Sequence, residues 1–184
     1  LGTPVVRTDA AALWASGKTW WQVPPITKVE FTGKLEGGVT GKDIIVTLCG
    51  LYNQDEVLNH VLEFTGEGVK YLSIDERLTI ANMTTEWGAL AGVFPVDEIT
   101  IKWYKKRAIF IKKRGLENVE SDIDGDNGIH PRINSNNIDK LENDYLEADK
   151  DAFYSQIITL DLNSVRPHIS GPNHVKTMTS IGDA

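Results

Sequence analysis

Between residues 26 and 64 the hydrophobic period switches from two to about 3.6 and back. That switch limits the fold more than any other feature of the chain. Ile26 to Gly33 alternates, with Val29 and Phe31 apolar against Lys28, Glu30 and Thr32, which predicts a strand. Gly37-Gly38 supplies a turn, and Thr40 is placed to cap a helix over about Gly41–Leu51. Asp43 takes the position of the acid in a capping box, and Ile44, Ile45, Leu48 and Leu51 mark one buried face. Val57 to Phe64 reads as a second strand, ending at Thr65-Gly66. Strands and helices go on alternating to residue 95, so the expected class is α/β, with helices packed on a sheet.

The rest of the chain fits around that unit. Before it, a short helix is expected over about Asp9–Ser16, capped by Thr8 or Asp9 and stopped by Gly17, and Pro24-Pro25 forces extended backbone. After it, Glu67–Leu72 reads as a helical turn. Ser73 or Asp75 caps a helix running to about Ala91, and Val93-Phe94-Pro95 is extended. Asp97 starts a helix to about Arg114 that carries Lys102, Lys105, Lys106, Arg107, Lys112, Lys113 and Arg114. Cations near a helix C-terminus suit its dipole, so they read as a solvated face. Residues 115–150 are polar and acidic, a loop with one short helix over about Asn136–Leu141. Ala152–Leu162 recovers strand character, Pro167 and Gly171-Pro172 end it, and the tail after Asn173 shows no clear element.

Composition excludes several function classes. The 184 residues are 41% hydrophobic and 24% charged, ordinary for a globular protein. A net charge of -7 argues against a nucleic-acid interface, which would be basic. No run of 18 apolar residues suggests a membrane span. One cysteine, Cys49, rules out an internal disulfide framework. The first residues, Leu1-Gly-Thr-Pro, lack a Met and any targeting pattern, so the chain is expected to be a piece of something longer.

Several motif readings fail on spacing. Val39-Thr-Gly-Lys-Asp43 lacks both the first glycine and the final Ser/Thr of a phosphate loop. Gly66-Glu-Gly68 lacks the third glycine of a dinucleotide fingerprint. Asp122, Asp124 and Asp126 open a calcium-type loop, but Asn127 and Ile133 occupy its required Gly and Glu positions. His60, His130, His168 and His174 are scattered, and none neighbours Cys49, so no zinc cluster forms. On the apolar face of its predicted helix, Cys49 reads as a buried, inert thiol. Arg7, Lys42 and Arg77 could attract a polyanion, though surface or structural pairing is the plainer reading.

One anomaly remains. Ile74, Leu78, Asn82, Glu86 and Leu90 recur every four residues, and two polar side chains interrupt that stripe. They either hydrogen-bond a cap or loop inside the core, or project a carboxylate and an amide into a pocket. The carboxylate could take a proton from water or a substrate hydroxyl. The glycine and alanine run from Gly88 to Gly92 lets something pack close behind them.

The stretch Leu78-Thr-Ile-Ala-Asn-Met-Thr-Thr-Glu-Trp-Gly-Ala-Leu-Ala-Gly-Val-Phe-Pro95 resembles the second-domain helix of the aconitase superfamily. So do Leu1-Gly-Thr-Pro-Val-Val-Arg-Thr-Asp-Ala, Thr19-Trp-Trp-Gln-Val-Pro-Pro, Gly50-Leu-Tyr-Asn-Gln-Asp-Glu-Val-Leu-Asn-His and Arg166-Pro-His-Ile-Ser-Gly-Pro172, which are most similar to its homoaconitase branch. The resemblance implies a three-layer α/β/α iron–sulfur domain, present in part. It implies a hydro-lyase that reversibly hydrates the tricarboxylic acid cis-homoaconitate to homoisocitrate, in lysine biosynthesis by the aminoadipate route in the fungal mitochondrial matrix. Glu86 is then the catalytic carboxylate, facing the reacting hydroxyl or water. Asn82 faces the [4Fe–4S] cluster or the substrate. The partners are the tricarboxylic acid and the remaining domains of the enzyme, with no nucleic acid and no membrane.

The departure from that pattern is the cysteine count. A cluster needs three thiolates, and Cys49 matches no ligand position. No metal ligand is therefore assigned in this chain, which alone is expected to bind no cluster and to be inactive. By the same resemblance, residues 1–25 end a cluster-bearing domain, 26–114 form an α/β second domain, 115–150 an acidic insert, and 151–184 a strand and a linker to the next domain. Two other readings stay open: a non-catalytic interaction module with the same fold, and a piece of an aconitase or isopropylmalate isomerase. The first should cover its edges with polar side chains, whereas a piece of a larger enzyme leaves apolar surface bare.

Overall fold

The computed structural model describes residues 2–3, 5–115, 129–144, 147–174 and 176–183. Two compact units divide it, residues 1–94 with 151–184 and residues 95–150. Residues 116–128 of the expected acidic insert, with the first half of the calcium-type loop, lie outside the described residues.

The first unit is built on a four-stranded parallel sheet. Helix α1 (Arg7–Ser16) precedes it. Strand β1 (Ile26–Thr32) leads through α2 (Gly41–Leu51) to β2 (Val61–Thr65). A 3-10 turn (Glu67–Tyr71), α3 (Ile74–Asn82) and α4 (Thr84–Trp87) connect β2 to β3 (Ala91–Val93). Strand β4 (Gln156–Asp161) closes the order β3-β2-β1-β4. Thr27 to Thr32 pair with Gln156 to Asp161, and Ile26 to Glu30 with Val61 to Thr65. The alternation on β1 therefore sends Val29 and Phe31 to the same face as Leu62, Phe64, Ile158 and Leu160, and all six are buried. Ile44, Ile45, Leu48 and Cys49 of α2 and Ile80 of α3 complete that core. Helices flanking a parallel sheet make this an α/β fold.

Helix α2 has the predicted bounds. The Asp43 carboxylate accepts from the Thr40 N–H and Oγ1–H, each at 2.8 Å, the acidic half of the box. The second strand starts four residues later than expected. Asp55 and Asn59 take left-handed backbone, φ 62° and 59°, and turn the chain before Val61. Asx side chains tolerate that region. Helix α1 begins at Arg7, with Val6 rather than Thr8 or Asp9 in the cap position, and buries no residue. The tail does contain structure. Strand β6 (Met178–Ser180) pairs antiparallel with β5 (His168–Ser170), and the hairpin is held to α2 by the His168 N–H donating to Asp43 Oδ1 at 2.9 Å.

The second unit holds α5 (Glu98–Arg114) and α6 (Ser135–Asn143). Asp97 caps α5 through the Thr100 N–H at 3.0 Å, and Asn134 caps α6 through the Asn137 N–H at 3.0 Å. The cations of α5 are exposed, as read from the sequence. Lys105 meets Glu142 of α6, while Arg107 lies over the rings of Trp103 and Phe110. Among the described residues no helix is long and apolar enough to cross a membrane.

Candidate active site

The predicted helix through Asn82 and Glu86 is broken in two. Ser73 caps α3 as a full capping box: the Glu76 N–H donates to Ser73 Oγ at 3.3 Å and Glu76 Oε2 accepts the Ser73 N–H at 2.7 Å. The helix ends at Met83, whose φ of -86° and ψ of 6° leave the helical region. Thr84 then donates its hydroxyl to the Ala81 carbonyl at 2.9 Å, offering that carbonyl a side-chain partner instead of a further helical turn. One short turn follows, α4, and Gly88 stops it at φ 96°, a conformation costly for any side chain with a Cβ.

The expected helix to Ala91 is thus α3, α4 and the start of β3. The buried positions of α3 and α4 are Arg77, Ile80, Ala81, Thr84 and Trp87, while Leu78 and Asn82 are exposed. The reason is close packing. A methyl group on Gly92 would stand 2.9 Å from Thr84 Cγ2 and 3.1 Å from Ala81 Cα. The small-residue run lets β3 lie directly against α3 and α4.

Asn82 therefore ends α3 at the surface, and Glu86 sits on the following turn, half-buried. Trp87 sets the orientation of that turn. It is fully buried, and its indole N–H donates to the Tyr52 carbonyl at 2.7 Å, tying α4 to the end of α2. Glu86 Oε2 is sealed from solvent with no hydrogen-bond partner, one of three such side-chain atoms among the described residues. A carboxylate oxygen in that state is costly unless something else comes to it.

The neighbourhood of Glu86 includes Cys49. Burial pushes the Cys49 thiol up to about 12, the Glu86 carboxylate adds to that, and Lys176 opposes it. Without a metal ion the thiol stays protonated at neutral pH. Among the described residues no three His, Cys, Asp or Glu side chains are grouped to hold a metal ion. The described residues do not group the ligand set of an iron–sulfur cluster.

The other polar candidates are structural or exposed. Arg77 is buried, and its guanidinium donates to the Leu72 and Val69 carbonyls at 3.1 and 2.9 Å, ordering the 3-10 turn. Arg7 and Lys42 are on the surface. His60 Nδ1 is 2.7 Å from Thr27 Oγ1, and His168 Nδ1 is 3.5 Å from Thr47 Oγ1. A cleft of about 660 Å³ opens beside the first residues of the sheet, lined by Trp20, Trp21, Pro25, Leu58, Asn59 and Leu90. Neither Asn82 nor Glu86 lines it. Sequence reading missed Trp87 as the anchor of the turn, although it stands next to Glu86. It also missed Lys176, whose Nζ lies 3.1 Å from Asp55 Oδ1, a residue 121 positions earlier that no local pattern connects to it.

Comparison with known proteins bears on this arrangement. The family model of the aconitases (aconitate hydratase) matches residues 1–184. A mitochondrial homoaconitase of Debaryomyces hansenii is 55% identical over 183 residues, covering 100% of this chain and 24% of its own. Those of Mycosarcoma maydis and Candida albicans are each 54% identical over 184 residues, covering 100% of this chain and 25% of theirs. The chain thus spans about a quarter of the length of these relatives. The family model over residues 1–184, with identity of that degree over the whole chain, places this chain in the aconitase family.

Proposed function

We propose that this chain is the part of a homoaconitase-type hydro-lyase that carries its proton-handling carboxylate. Its reaction is the reversible hydration of cis-homoaconitate to homoisocitrate, in lysine biosynthesis within mitochondria. The observation that carries the proposal is the buried, unpartnered Oε2 of Glu86. Similarity to enzymes named mitochondrial homoaconitase supports the substrate and the compartment.

In the hydration direction a water oxygen adds to one carbon of the double bond and Glu86 takes the proton that oxygen sheds, while the other carbon gains a proton from a second acid–base group of the enzyme, which takes it back in the reverse direction. In the reverse direction Glu86 returns the proton to the departing hydroxyl, which leaves as water. Asn82, exposed at the end of α3, presents its amide to the cluster side or to a substrate carboxylate. The family's [4Fe–4S] cluster activates the hydroxyl as a Lewis acid when bound. Its thiolates lie outside this stretch, and what this chain brings to the reaction is the Glu86 carboxylate and the Asn82 amide. The bare apolar surface of Trp14, Trp20 and Val23, 88%, 85% and 91% exposed, supports a role inside a larger enzyme over a stand-alone module.

The test uses the full-length, cluster-loaded enzyme. Glu86→Gln should lower kcat by about 10²- to 10⁴-fold while the visible absorbance of the cluster is unchanged. Hydration within threefold of wild type would sink the assignment.

A further inference from the structure

The short turn that carries Glu86 is held from one neighbouring segment, the connection from α2 to β2. Three hydrogen bonds join the two. At the start of the connection the Tyr52 carbonyl accepts the Trp87 indole N–H at 2.7 Å. At its end the Asn59 N–H donates to the Gly88 carbonyl at 2.9 Å, and the His60 carbonyl accepts the Leu90 N–H at 2.8 Å. Glu86 thus stands next to one pinned residue, Trp87, and two before another, Gly88.

The connection is itself anchored in the core. Val57 is fully buried, and His60 Nδ1 is 2.7 Å from Oγ1 of Thr27, which is also fully buried. Between those anchors the chain reverses at Asn59, with φ of 59°. Asn tolerates this left-handed region, whereas a β-branched residue is strained in it. The Asn59 side chain lines the cleft of about 660 Å³ together with Leu58 and Leu90. Its amide has no hydrogen-bond partner among the described residues. What Asn59 brings to the turn is therefore its backbone, aimed by that one conformation.

We propose that Asn59 is a positioning residue, whose left-handed backbone locks the Glu86 turn in place through the Gly88 carbonyl. This rests on the reading of Glu86 as the proton-handling group. A carboxylate that moves a proton must stay within hydrogen-bond reach of the reacting oxygen, and a shift of about 1 Å costs on the order of 10²-fold in rate. Asn173 supplies the control. It has φ of 64° in the loop of the β5–β6 hairpin, the same conformation, with no hydrogen bond to residues 84–90.

The experiment measures kcat and KM at equal cluster absorbance for full-length, cluster-loaded wild type, Asn59→Val, Asn59→Gly, Asn173→Val and Glu86→Gln. Asn59→Val should lower kcat by about 10- to 100-fold, with KM within about twofold. Asn59→Gly accepts the same φ and should keep kcat within about threefold. Asn173→Val puts the same strain in the hairpin, so it should lower the melting temperature with kcat within about threefold. Asn59→Ala gives the reading in milder form if the valine variant fails to fold. A second readout needs no turnover. In unloaded full-length enzyme, hydrogen exchange of the Leu90 amide should quicken by about tenfold or more in Asn59→Val and stay near wild type in Asn59→Gly. Wild-type kcat in both Asn59→Val and Asn59→Ala overturns the proposal. So does a loss in Asn59→Gly or Asn173→Val as large as in Asn59→Val, or unchanged Leu90 exchange. If Glu86→Gln keeps wild-type kcat, the reading of Glu86 falls and Leu90 exchange still decides the lock. If it is inactive while the Asn59 variants keep wild-type kcat, only the role of Asn59 falls.

Discussion

Trp87 and Glu86 are neighbours with opposite fates. The indole fills the core and bonds the Tyr52 carbonyl, and that fixed anchor leaves the adjacent carboxylate beside Cys49 with an oxygen short of a partner. Asn82 and Glu86 stood out in the sequence as two polar residues in an apolar stripe. Their burial did not, because a four-residue spacing is only a face while the helix continues. Cys49 was legible as an inert thiol from its apolar surroundings. Its environment gives a direct check. With its thiol pushed up to about 12, chiefly by burial, iodoacetamide at pH 8 should leave the folded protein unmodified. Alkylation should appear only on unfolding. Rapid labelling of native protein would show that the thiol is open to solvent and ionised.

Helix ends decide the shape of the site. Gly88 stops α4 with positive φ and lets the chain enter β3, so Gly88→Ala should cost about 1–2 kcal/mol, read as a lowered denaturation midpoint. No loss would mean that the turn relaxes. Asp43 serves two elements, the cap of α2 and the hairpin. Burial alone would raise its carboxyl, but hydrogen bonds from His168 and Thr40, with the nearby His168 charge, bring it below its ordinary 3.8. A folded-state value below the unfolded one adds stability that is fully present above about pH 4. That stability is lost as pH falls through the lower folded value. Asp43→Asn should therefore lower the melting temperature at pH 7 and flatten its fall below pH 4, measured by scanning calorimetry. An unchanged acid limb would remove Asp43 as its source. The capping box was readable from Thr40 and Asp43. The tie to His168 was not, since 125 residues separate the two.

At the scale of the molecule, one face of the parallel sheet is a closed core, yet three of the five tryptophans face water. Trp14, Trp20 and Trp21 are 88%, 85% and 48% exposed, and Trp87 is fully buried. In this chain alone, acrylamide should quench most of the tryptophan emission. In the full-length enzyme the quenched fraction should fall as those rings are covered. Equal quenching in both would mean the surface stays bare. The sequence by itself determined the alternation of β1, α2 and β2, the caps at Thr40, Ser73 and Asp97, and the family. Hydrophobic period, capping chemistry and motif wording are all local. Only the tertiary structure decided that α3 stops at Met83, that β3 begins at Ala91, that the tail folds back as a hairpin on α2, and that Lys176 meets Asp55. Those outcomes depend on close backbone approach and on charges brought together across the fold, which no local pattern encodes.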